Sequence, residues 1–263
     1  MTTKIHIYTK LISMGIEYSD IVIMVIALAI GGFVKGVTGL GLPAIAIPVM
    51  AGFLGVEHAV IVMVIPPAIL NAWLAWTHRD QALEVKELPK LLIWGCLGAL
   101  VGTWILVTAK DLILSNFLAL WILVYLVIRF VRPDLKLSQG TRQKISPGIG
   151  LLAGTLQTST GISLPIVATY FHSLVLEPKA YIFAISALFF VLGTVHFGAL
   201  VALNAYTPVL LIQSTLALIP ALATIPLGIH VSKRINKRFF DKLLTGVLLL
   251  SAIKILYEAW GTY

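Results

Sequence analysis

Charge is scarce in this chain. Of its 263 residues 11% are Asp, Glu, Lys or Arg and 59% are apolar, against ~25% and ~45–50% in an ordinary soluble domain. That shortage excludes a soluble enzyme. The single cysteine, Cys96, excludes an internal disulfide and a cysteine-based metal site; inside the apolar run 91–109 it reads as a small buried hydrophobe. Carboxylates are the rarest charges, and the interiors of the long apolar stretches hold none. Intramembrane Asp and Glu are the usual proton relays and cation sites, so their lack argues against a cation pump. The chain also lacks H-E-x-x-H and G-x-S-x-G, which leaves an intramembrane enzyme as a remote alternative with no catalytic residue, metal or cofactor to name.

What is abundant is apolar sequence in lengths that suit a bilayer. A hydrocarbon core about 30 Å thick takes roughly 20 apolar residues per helix. Residues 59–77, 91–109 and 112–128 are each one span long, and 180–229 has no charged residue and splits into two at Asn204-Ala205-Tyr206-Thr207-Pro208, a turn signal. A sixth span covers 241–260, with Lys254 near enough to its end to snorkel. The fold class is therefore an all-α polytopic membrane protein. Two regions resist this scheme. Residues 21–54 are interrupted by Gly36-Val37-Thr38-Gly39-Leu40-Gly41-Leu42-Pro43, and 145–176 by Thr158-Ser159-Thr160-Gly161-Ile162-Ser163-Leu164-Pro165. Neither run suits a continuous helix, and each predicts a hairpin of two short helices meeting at a non-helical turn. Such backbone is tolerated at membrane depth only where protein buries it or a cavity hydrates it.

Shifting the chain by 122 residues superposes Gly32 on Gly154, Thr38 on Thr160, Gly39 on Gly161, Leu42 on Leu164 and Pro43 on Pro165. The repeat unit is a broken-helix hairpin plus three transmembrane helices, with a first repeat at 21–131, a cytoplasmic linker at 132–144, a second repeat at 145–263 and an N-terminal segment at 1–20 that shows no removable signal peptide. The net charge of +8 is a topology signal rather than a sign of nucleic acid: thirteen of the nineteen Lys and Arg residues fall in 79–90, 129–144 and 233–242, which makes those loops cytoplasmic. Three crossings plus a returning hairpin is an odd count, so the second repeat is inverted relative to the first, with the two breaks facing each other and Thr38 near Thr160. That is the plan of many secondary transporters.

At these residues the sequence resembles the TauE/SafE family of membrane permeases, often described as sulfite exporters. The resemblance rests on Gly31 to Pro43, on Gly154 to Pro165 followed by Glu177-Pro178-Lys179-Ala180, and on Leu227 to Arg234 running into Phe239 and Phe240. It spans roughly 21–257. The chain departs from the family pattern at Lys35, where a small or apolar residue is expected, and at Thr158 and Ser163, where glycine is common. The resemblance implies export of a small sulfur-containing or other organic anion across the cell (inner) membrane, with no cofactor; an importer or channel for the same anion class is the alternative. Oligomeric state is not legible.

The residues themselves point to an anion. Half-helix N-termini present unpaired N–H donors and partial positive charge. Beside them stand the hydroxyls of Thr38, Thr158, Ser159, Thr160 and Ser163; Gly39, Gly41 and Gly161 allow backbone to approach a ligand, and Pro43 and Pro165 suit the first turn of each returning helix. Lys35 is the one cation beside a break, and the repeat pairs it with Gln157. Asn71 and His196, on corresponding helices of the two halves, form a second tier, His196 being either a helix-packing residue or a proton carrier. The six tryptophans read as interfacial belts or packing.

Overall fold

The computed structural model describes residues 18–38, 41–131, 139–232, 234 and 237–261. Twelve α-helices run through them: α1 Tyr18–Thr38, α2 Leu42–Leu54, α3 Val56–Val62, α4 Ile65–Thr77, α5 Leu88–Thr108, α6 Asp111–Val131, α7 Gln139–Thr160, α8 Leu164–Ser173, α9 Pro178–Ala202, α10 Pro208–Leu216, α11 Leu218–Ser232 and α12 Lys237–Gly261. A 3-10 turn, Arg79–Glu84, joins α4 to α5. All six expected spans are present. Among the described residues seven stretches are long and apolar enough to cross a membrane, the seventh being α1 itself.

That extra span corrects the picture of two short helices per hairpin. The first arms α1 and α7 have 21 and 22 residues, the returning arms α2 and α8 only 13 and 10. At ~1.5 Å per residue the long arms reach over 30 Å and the short ones about half that. The breaks thus lie at the far ends of long helices. The backbone there needs glycine: Gly41 has φ +96° and Gly161 φ +71°, a region costly for a residue with a Cβ. Pro43 and Pro165 lie in the first turns of α2 and α8, where a missing N–H costs nothing. The second hairpin also starts earlier than expected, since α7 begins at Gln139, inside the predicted linker.

A third break was not expected. The predicted span 59–77 is divided between α3 and α4 at Met63–Val64. Pro66 and Pro67 lack N–H groups, so the carbonyl of Val62 loses its helical donor. Ser214 of α10 repairs the gap: its hydroxyl donates to Val62 O at 2.7 Å and accepts from Ile65 N at 3.2 Å.

Two close crossings join opposite halves, α5 against α7 and α1 against α11. Replacing each helix by its counterpart 122 residues on turns the first crossing into the second. Both are built on glycine. A Cβ on Gly154 would strike Gly95 O, one on Gly98 would strike Leu151 O, and at the other crossing Gly32 meets Ala221 O and Gly36 meets Ile225 O. Backbones at such spacing gain dispersion along their length, which is the main attraction open to helices in lipid. α4 packs on α9 and α6 on α12, where Trp260 donates to Asn116 Oδ1 at 3.1 Å. Trp73, Trp76, Trp94, Trp104 and Trp260 are exposed, as belt residues would be. Cys96 is half-buried rather than buried.

The second hairpin closes on its own starting end. Arg142, near the start of α7, donates to Leu174 O just past α8. The same end holds Asp80, whose carboxyl is held below its ordinary range by the Gln81 hydrogen bond and, in smaller part, by the Lys179 ammonium. At the opposite end, a Cβ on Gly55, which links α2 to α3, would lie 3.6 Å from Asp111 Oδ1 at the start of α6.

Overpacking a core contact costs about 1–3 kcal/mol. Gly154→Val is therefore expected to lower the thermal unfolding midpoint in detergent by several degrees or abolish expression. Gly246→Ala, whose Cβ would meet nothing within 4 Å, should leave the midpoint unchanged.

Candidate functional site

One cavity lies between the two hairpins, with a volume of about 830 Å3 counting its open mouth. Both breaks contribute to its wall, Gly41 with the first turn of α2 from one side and Gly161 with Leu164 from the other. The contact between the hairpins is direct: a Cβ on Gly161 would collide with Ile47 Cδ1 of α2. Neither returning helix has a side-chain cap at its N-terminus. Pro43 and Pro165 carry no N–H, and Ile166 N donates to Ser163 O at 3.1 Å, so what both helix ends bring to the same space is mainly the positive end of the helix dipole.

Five of the expected residues line this cavity, Lys35, Gly41, Gln157, Thr158 and Gly161, together with both second-tier residues, Asn71 and His196. Lys35 comes from the last turn of α1 and is half-buried. No carboxylate among the described residues lines the wall. Gln157 closes the second break: its Oε1 accepts from Ser163 Oγ at 2.7 Å, and its Nε2 reaches Gly161 O at 3.5 Å. Trp121 Nε1 donates to Ile162 O within the same turn.

The remaining hydroxyls are brought elsewhere. Thr38 is exposed at the end of α1 and donates to Val34 O at 2.9 Å, whereas Thr160 is fully buried, so the two sit in different surroundings. Ser159 and Thr160 donate to Thr155 O and Leu156 O, each at 2.7 Å, and neither they nor Ser163 lines the cavity. Their hydroxyls bond within the second hairpin, Ser163 Oγ to Gln157 Oε1. Gly39 lies outside the described residues.

His196 was half-explained by packing. It is 5% exposed, and its Nδ1 lies 2.7 Å from Thr103 Oγ1 on α5. Thr103 Oγ1 is also 2.7 Å from Ala99 O, which in turn accepts from Thr158 at 2.9 Å. His196 Nε2, by contrast, is buried without a partner. Thr103 was missed in the sequence because 93 residues separate it from His196. The apolar wall, Met63, Val64, Pro67, Phe189 and Gly193 among it, was missed too, although Pro66-Pro67 was a readable signal for the α3–α4 break.

An apolar cavity of this size with a few converging polar groups is the ordinary form of a small-ligand site. Here the polar groups are an ammonium, two helix N-termini, two amides and an imidazole, a set that favours a compact anion. No curated protein and no solved structure matches the chain significantly. The sequence model of the sulfite exporter TauE/SafE family matches residues 23–255. That match covers nearly the whole chain and both hairpins, and the chain belongs to the TauE/SafE family of membrane transporters.

Proposed function

We propose that this chain is a secondary transporter that exports a small anion from the cytoplasm across the cell membrane, a sulfur oxyanion or organosulfonate such as sulfite. The observation that carries the reading is the convergence of Lys35 and two uncapped half-helix N-termini on one cavity. A lysine ammonium in apolar surroundings is costly unless an anion accompanies it. The positions of that lysine and of Gln157, 122 residues apart at equivalent points of the two hairpins, support two inverted repeats spanning 21–131 and 145–263. The end that holds Arg79, Arg142 and Lys179 is the cytoplasmic one in this reading, because basic residues collect there.

A negatively charged solute gains by leaving a cell whose interior is negative. Moving one charge through 100 mV is worth ~2.3 kcal/mol, roughly a fifty-fold gradient at ~1.4 kcal/mol per tenfold. Export then needs no intramembrane carboxylate. Flux into vesicles of purified protein, tested with sulfite, sulfonates and sulfate, is expected to follow an imposed membrane potential; flux that ignores the potential would refute electrogenic export.

Lys35→Met removes a charge-assisted contact worth about 1.5–3 kcal/mol. Anion affinity should fall by tenfold or more while expression and thermal stability hold, as measured by binding and flux on the same preparation. Orientation is checked separately. A reporter fused after Tyr263 should be active only when it is one that works outside the cytoplasm.

A further inference from the structure

The hydrogen bonds around His196 fix which ring nitrogen carries a proton. Thr103 Oγ1 lies 2.7 Å from Ala99 O and 2.7 Å from His196 Nδ1. Both contacts are too short to lack a proton. A carbonyl oxygen has none, so the threonine proton points to Ala99 O, and the proton in the second contact belongs to Nδ1. In the neutral ring Nε2 is therefore a bare lone pair. It is buried and unpartnered, on a residue that lines the cavity.

A lone pair on a residue of the cavity wall sets a chemical condition on any anion that reaches it. An oxyanion with no hydrogen would place its own lone pairs against Nε2, whereas one that brings a proton would donate to it. We infer that the anion is bound together with one proton, held between His196 Nε2 and an oxygen of the ligand, so that the substrate class is the hydrogen-bearing oxyanion, with bisulfite as the simplest sulfur member. This deepens the anion reading above and rests on it. The proton arrives on the ligand in bisulfite. An anion that cannot carry one, such as methanesulfonate, binds only if the ring takes the proton from water.

Lys35 of α1 is the other titratable residue on the cavity wall, while α4 and α7 present Asn71, Gln157 and Thr158. The 3-10 turn and α8 meet α9 near its opposite end, where Asp80 faces Lys179 and His172 pairs with Tyr181. Tyr181 is about 22 Å along the helix from His196.

Binding to the purified protein in detergent, from mildly acidic to mildly alkaline pH, tests this directly. Methanesulfonate should bind with uptake of one proton and lose affinity ~tenfold per pH unit above the ring's titration; bisulfite should bind with no uptake at a pH where it is already protonated. His196→Asn keeps an amide donor for Thr103 but has no atom at the Nε2 position. It should abolish the proton uptake with methanesulfonate and weaken bisulfite about tenfold. Methanesulfonate binding that is indifferent to pH, or proton uptake that survives in His196→Asn but is lost in Lys35→Met, would overturn the role of His196 and leave the anion reading standing. Binding of no anion at any pH would overturn both.

Discussion

Hydrocarbon offers a peptide group no partner, and the rest of this structure depends on that. Among the described residues the helices are broken at four places inside the apolar body, at the two hairpins, at Met63–Val64 and at Ala217, and a break exposes N–H and C=O groups that lipid cannot satisfy. At Met63–Val64 a single serine from the other half fills the gap. At the second hairpin, Gln157, Thr160 and Trp121 take orphaned groups of the turn, and Ser163 Oγ donates to the Gln157 side chain. The N-termini of the two returning helices carry no side-chain cap and adjoin the cavity.

The same constraint explains where the glycines are. A hairpin whose backbone must be enclosed needs neighbours close to its axis, and side chains would hold them off. Gly154 on α7 and Gly32 on α1, 122 residues apart, both sit at close crossings, Gly154 against α5 and Gly32 against α11. The α5–α7 crossing also carries chemistry. Thr158 donates across it to Ala99 O, the carbonyl that orients Thr103 and through it His196. Helix packing in this protein thus reaches a residue of the cavity wall through a chain of hydrogen bonds.

Much of this was legible because the signals were local. The run G-x5-T-G-x2-L-P marked both breaks, since left-handed backbone and a first-turn proline have sequence signatures at Gly41, Pro43, Gly161 and Pro165. Lys35 and Gln157 were legible through the repeat. The length of the hairpin arms was not, because apolar composition gives the extent of a region but not where along it the turn consumes residues. Helical phase was equally hidden. Thr158 reaches the cavity while Ser159 and Thr160, rotated by about 100° and 200° around the axis, bond their own backbone. Which phase faces a ligand is decided by α5 and α2, far away in sequence. The pairing of His196 with Thr103 has the same origin, an assembly of helices rather than a spacing within one.

The central claim is that the space enclosed by the two hairpins is where the anion binds. Selenite, the heavier congener of sulfite, scatters anomalously and would report its own position in crystals of protein shown to carry it. An anomalous peak within hydrogen-bond reach of Lys35 Nζ and His196 Nε2, between the N-termini of α2 and α8, is the predicted result. A peak elsewhere on the molecule, with that cavity empty in protein that transports the ion, would contradict it.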